Sequence, residues 1–140
     1  MDASNRQRWL RMVVLLGAVY FVLGIAFAKF ASWSGSSSMH ETWNRAGFVA
    51  SAIAFALHIG YEHLRLRNSS LVTAAHVAIA VGLGAFALAV NANVHGLWVG
   101  SSNQRLLAIA LVAWPAITAI PAFVVALVAA AGLGLIRRST

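Results

Sequence analysis

His58, Glu62, Arg65, Thr73 and His76 have the residue types and spacing to act together. A carboxylate beside imidazoles can exchange protons near neutrality. Two histidines and one carboxylate, here His58, His76 and Glu62, also match the donor set of zinc or non-haem iron. Either histidine alone could be an axial ligand to haem. An ionisable group inside an apolar helix is costly in lipid, which makes each of these a functional candidate.

At 100° per residue, Asn44, Ser51, His58, Glu62 and Arg65 fall on one arc of a helix. Thr73, His76, Ala80, Gly84, Ala87, Asn91 and His95 share a face on the next. His58 lies nine residues before Arg67 and His76 nine after it. A turn centred there puts both imidazoles roughly 13 Å from it, at ~1.5 Å rise per residue. The expectation is an inner-half site of His58, Glu62 and His76, with Thr73 contributing and Arg65 at its mouth. A purely structural alternative pairs Glu62 with Arg65 or Arg67 and hydrogen-bonds the histidines across helices. Neighbouring helices ~8–10 Å apart suit a shared ion better than a haem held between two imidazoles.

A second cluster is expected on the opposite side. There His40, Glu41, Asn44, Asn91, Asn93 and His95 converge if the first loop folds back, as a solute vestibule, a weak metal site or an ordinary wet helix end. Several chemistries have no residues to carry them. The chain has no cysteine, hence no disulfide, thiolate zinc site or iron–sulfur ligation of its own. It has no phosphate-binding glycine loop and no H-E-x-x-H.

The elements that must position these groups are written in the hydropathy. Of the 140 residues, 61% are hydrophobic and 9% charged, whereas a soluble domain runs near half apolar and a quarter charged. The expected fold is an all-α integral membrane protein, a four-helix antiparallel bundle in one transmembrane domain. Its spans are 10–31, 46–64, 71–95 and 105–136, its outer loops 32–45 and 96–104, and its inner loop 65–70. A span needs ~20 residues, so the fourth is over-long, and Pro115 and Pro121 inside it suggest bending. Short connections make consecutive helices antiparallel neighbours. Arg6, Arg8 and Arg11 followed by an apolar run and Ala26-Phe27-Ala28 imitate a cleavable signal peptide; the segment is expected to remain as the first span.

The net charge of +7 does not point to nucleic acid, because the basic residues flank the apolar runs instead of lining one face. Arg6, Arg8, Arg11, Arg65, Arg67, Arg137 and Arg138 fall on one side, and Lys29, Arg45 and Arg105 on the other. That asymmetry puts both termini in the cytoplasm. One lysine against nine arginines, with abundant alanine, suggests a bacterial inner membrane. Trp9, Trp33, Trp43 and Trp98 sit where an interfacial belt would be. Gly17, Gly24 and Ala28, Ala80 and Gly84, and Ala126, Ala130 and Gly134 form small-residue stripes suited to close packing.

The expected function is a small homo-oligomeric transporter or channel-like bundle, coupled to protons or ions through His58, Glu62 and His76. A cofactor-binding (haem or metal) or accessory subunit of a larger membrane complex is the second expectation, and a membrane enzyme the third.

Overall fold

The computed structural model describes residues 3–100 and 103–138, with side chains for 7–100 and 103–136. The side-chain charges of Arg6, Arg137 and Arg138 therefore lie outside the described residues, as do Ser101 and Ser102. Four helices follow one another: α1 Ala3–Trp33, α2 Ser37–Gly60, α3 Ser70–Trp98 and α4 Gln104–Arg138. A five-residue π-helical turn, Tyr61–Arg65, continues α2.

The first connection, between α1 and α2, is shorter than the sequence suggested. Residues 37–45 are helical, leaving only Ser34, Gly35 and Ser36 between α1 and α2. Ser36, in extended conformation, caps α2 by accepting from the Met39 amide, as serine does at helix starts. Thr42 donates to the Ser38 carbonyl and Arg45 to Glu41 one turn away. A polar composition read as loop is thus the capped first turns of a helix.

Three helical segments are long and apolar enough to cross a membrane: Gln7–Trp33, Ser70–Trp98 and Gln104–Ile136. The second helix is not among them. Its first turns hold His40, Glu41, Asn44 and Arg45, so its apolar stretch starts only at Ala46.

The packing order also differs from the sequential one. α3 is the central element, lying along α4 and α1, while α2 rests mainly on α1 and meets α3 only sparsely. Small residues set this order. A Cβ on Gly84 would come 2.7 Å from Tyr20 Cβ and 3.0 Å from the Gly17 carbonyl oxygen. The α1 and α3 backbones therefore touch through paired glycines, the close approach that membrane-type packing exploits. Gly47 plays the same part between α2 and α1, where a Cβ would lie 2.8 Å from Phe27 Cβ. On the other flank, Ala74 and Val77 of α3 pack on Ala126 and Ala130 of α4, with Ile59 of α2 closing the cluster. The large hydrophobics point mostly outward, Leu15, Val22, Leu57, Val112 and Val128 among them.

Candidate functional site

The described polar residues that are buried are His58, Glu62 and Thr73, and all three sit at the end of the bundle formed by the α2–α3 turn. Glu62 is 1% exposed. Its carboxylate is held from two directions through one oxygen: Asn68 Nδ2 donates to Oε2, and His76 Nδ1 lies 3.0 Å from the same atom. Against an ionised carboxylate, which only accepts, the imidazole Nδ1 is the donor.

The π turn arranges this. The Leu66 amide bonds back five residues to the Tyr61 carbonyl, and the Asn68 amide reaches the Glu62 carbonyl at 3.2 Å. Asn68 thus grips Glu62 by main chain and side chain together. Arg67 takes the left-handed conformation, φ 56°, that reverses the chain into α3. Ser69 then caps α3 by accepting from the Val72 amide. Single π turns inside α-helices recur at functional sites.

The first helix supplies two aromatic partners. The Trp9 ring lies against His76 with centroids 5.3 Å apart. The Tyr20 hydroxyl meets His58 Nδ1 at 3.3 Å. His58 is 2% exposed, and its Nε2 is buried with no hydrogen-bond partner among the described residues. His58 also lies within electrostatic reach of both Glu62 and His76. A string of polar groups therefore runs from Trp9 to Tyr20, about 16 Å along α1 at ~1.5 Å per residue.

A cleft of about 530 Å³ opens onto this site. Arg8, Trp9, Tyr61, Glu62, Asn68 and His76 line it, with Met12, Leu66 and Val72 as apolar wall. Arg8 takes the position at the cleft expected of Arg65, which is exposed and outside the lining. Thr73 is fully buried, and its hydroxyl has no partner among the described residues; it does not reach the cleft. His63, assigned no role from the sequence, turns to the opposite flank, into a hollow with Ser69, Ser70 and Gly134.

Glu62 is not neutralised by Arg65 or Arg67. The ion pairs among the described residues are Glu41–Arg45 and Glu62–His76. The three-ligand metal arrangement of His58, Glu62 and His76 is not formed either, because His58 turns its Nδ1 to Tyr20 on α1; no group of three His, Asp or Glu side chains among the described residues is placed to hold a metal ion.

The second cluster does not assemble. His40 is drawn back to α1, its Nδ1 donating to the Ala31 carbonyl at 3.0 Å, and Glu41 pairs with Arg45 on its own helix. Asn91 and His95 are exposed and line a shallow hollow with Val94 and Trp98. Asn93 spans α3 and α4 through the Ala89 and Leu107 carbonyls.

Trp9, Tyr20 and Asn68 complete the site. The face shared by Gly17, Tyr20 and Gly24 was a signal for Tyr20. Trp9 read only as an interfacial anchor, and Asn68 only as a turn residue. Comparison of the chain with family models, curated proteins and solved structures found no match.

Proposed function

We propose that the chain is a polytopic membrane protein crossing the bilayer four times with both termini on the cytoplasmic side. In this reading it is a small proton- or ion-coupled transporter or channel-like bundle, and Glu62 with His76 is its protonatable site. Three helices long and apolar enough to cross support the membrane setting, as do the outward-facing large hydrophobics. Large hydrophobics are exposed along all four helices, whereas soluble monomers rarely present large contiguous apolar patches. An even number of crossings requires α2 to cross as well, with Glu41 and Arg45 at headgroup level.

One observation carries the functional reading. A carboxylate that is 1% exposed is paired with a histidine, although two arginines stand within five residues of it in the chain. A guanidinium is a permanent charge, while an imidazole can take or give a proton near neutrality. The pair can therefore change its net charge without changing its partners. His58 and Tyr20, at 3.3 Å, extend the hydrogen-bonding groups further into the bundle. Four helices enclose little volume, so a complete path calls for a second copy.

The test is proton flux into proteoliposomes loaded with a pH-sensitive dye, following a pH step. Glu62→Gln keeps an oxygen for Asn68 and His76 to donate to, so it is the conservative variant that removes the titration. Flux is expected with the native chain and should fall to that of protein-free vesicles in Glu62→Gln and in His76→Ala. Native rates in both variants overturn the proposal.

The second reading, a cofactor-binding subunit, draws on His58 Nε2, buried and without a partner among the described residues. A Soret band in the purified protein that disappears in His58→Ala would favour it.

A further inference from the structure

We infer that the cleft over Glu62 binds a zwitterion with an ammonium group and an acidic group on a short linker, the chemistry of an ethanolamine phosphate. This deepens the reading above and rests on its placement of Glu62 at the inner side. The cleft holds a carboxylate and a guanidinium that do not meet: Glu62 and Arg8 both line it, yet Glu62 is paired with His76 and neither ion pair among the described residues includes Arg8. Both hydrogen bonds to Glu62 fall on Oε2. Oε1 has no hydrogen-bond partner among the described residues and is the atom left for a cation. Arg8 is exposed at the same cleft and offers a planar set of donors suited to phosphate or carboxylate.

Between these charges the wall suits an ammonium. Trp9 and Tyr61 line the cleft, and aromatic faces attract cations within ~6 Å of the ring centroid. Met12, Leu66 and Val72 complete an apolar wall against which a carbon linker can lie. A volume of about 530 Å³ falls within the ~300–1,000 Å³ of small-molecule sites. An ammonium alone would leave Arg8 uncompensated and an acid alone would face the Glu62 carboxylate, so the zwitterion is favoured over either half. The cleft lies where α1 begins and α2 turns into α3. In the proposed orientation that is the headgroup level, open both to a lipid headgroup and to a soluble zwitterion.

The experiment uses the full chain in nanodiscs of phosphatidylglycerol, with Trp33, Trp43, Trp98 and Trp114 replaced by phenylalanine so that Trp9 reports alone. O-phosphoethanolamine is titrated from solution, and phosphatidylethanolamine is introduced into the discs in a parallel series. Ethanolamine and inorganic phosphate serve as the separate halves. A saturable change in Trp9 fluorescence is expected with the whole zwitterion, at least about tenfold tighter than with either half. Arg8→Gln and Glu62→Gln should each weaken it by about tenfold or more. Response to the lipid alone identifies a bilayer headgroup, and response to both identifies the shared chemistry; either supports the inference. No response to either form overturns it, as do halves that bind as tightly as the whole or native binding in both variants. Arg8 is exposed, so its variant tests the inference even where Glu62→Gln is unstable. Flux measured on the same preparations separates the two claims. Flux without binding defeats the zwitterion site alone, and binding without flux defeats the transport reading alone.

Discussion

The contact between Gly17 and Gly84 holds α1 against α3, and with it Trp9 of α1 against His76 of α3. Gly84→Ala tests that dependence. The added Cβ would sit 2.7 Å from Tyr20 Cβ and 3.0 Å from the Gly17 carbonyl oxygen, against an ordinary carbon contact of ~3.5–4.0 Å. Neither neighbour is the far end of a flexible side chain, so the helices must separate by about 1 Å. Overpacking of this kind costs ~1–3 kcal/mol, and replacing glycine by alanine within a helix returns ~1 kcal/mol. The net expectation is a loss of up to about 2 kcal/mol. Gly82→Ala is the matched control on the same helix, because its Cβ would stand 3.4 Å from Ala119 Cβ, where a small shift suffices. It should keep most of the helix-propensity gain. Unfolding both variants in mixed micelles of increasing denaturing detergent, followed by circular dichroism, should separate them by ~1–3 kcal/mol. Trp9 emission should shift in Gly84→Ala alone. A Gly84→Ala protein as stable as Gly82→Ala, with native emission, would refute the argument that this crossing positions the site.

Asn68→Ala removes one charge-assisted hydrogen bond to a buried carboxylate and should lower stability by ~1.5–3 kcal/mol in the same unfolding assay; an unchanged midpoint would show that the Asn68 grip is dispensable. Gly100 adopts φ 65°, so Gly100→Ala should cost ~1–2 kcal/mol; Arg67, at φ 56°, already bears a Cβ in that region, so Arg67→Gly should cost nothing and β-branched Arg67→Val should be the less stable of the two. A stable Arg67→Val would mean that the turn relaxes out of the left-handed conformation. The absence of cysteine makes topology directly testable. A membrane-impermeant maleimide applied to intact cells should label Ser38→Cys but not Arg67→Cys, and should label both after permeabilisation. The reverse pattern would reject the proposed orientation.

Much of the site could be read from the chain because its logic is local. Glu62 and His76 flank a short turn, and period alone puts them on faces that the turn folds together. The small-residue stripes were equally legible, since Gly17, Gly84, Ala126 and Ala130 pack where their size allows. What escaped was set by tertiary geometry. The sequence carries no direct mark of the π turn, which lets Asn68 wrap around Glu62. Trp9 joins His76 only because α1 crosses α3 closely, a contact between residues 67 positions apart in the chain. His40 and Glu41 misled for the opposite reason: local capping and an ion pair one turn away used groups that composition offered to a distant partner.

The buried polar residues His58, Glu62 and Thr73 all occupy one end of the bundle, and beyond Tyr20 the α1–α3 contact passes to Gly24 against Leu88. In the proposed orientation this divides the bilayer into a polar inner part and an insulating outer part. An electrical potential falls across the insulator, at ~2.3 kcal/mol per charge for each 100 mV over the full thickness. A cation loading Glu62 from the cytoplasm would cross only the smaller share of that drop. Its departure to the far side would cross the larger share, so voltage would govern release far more strongly than occupancy.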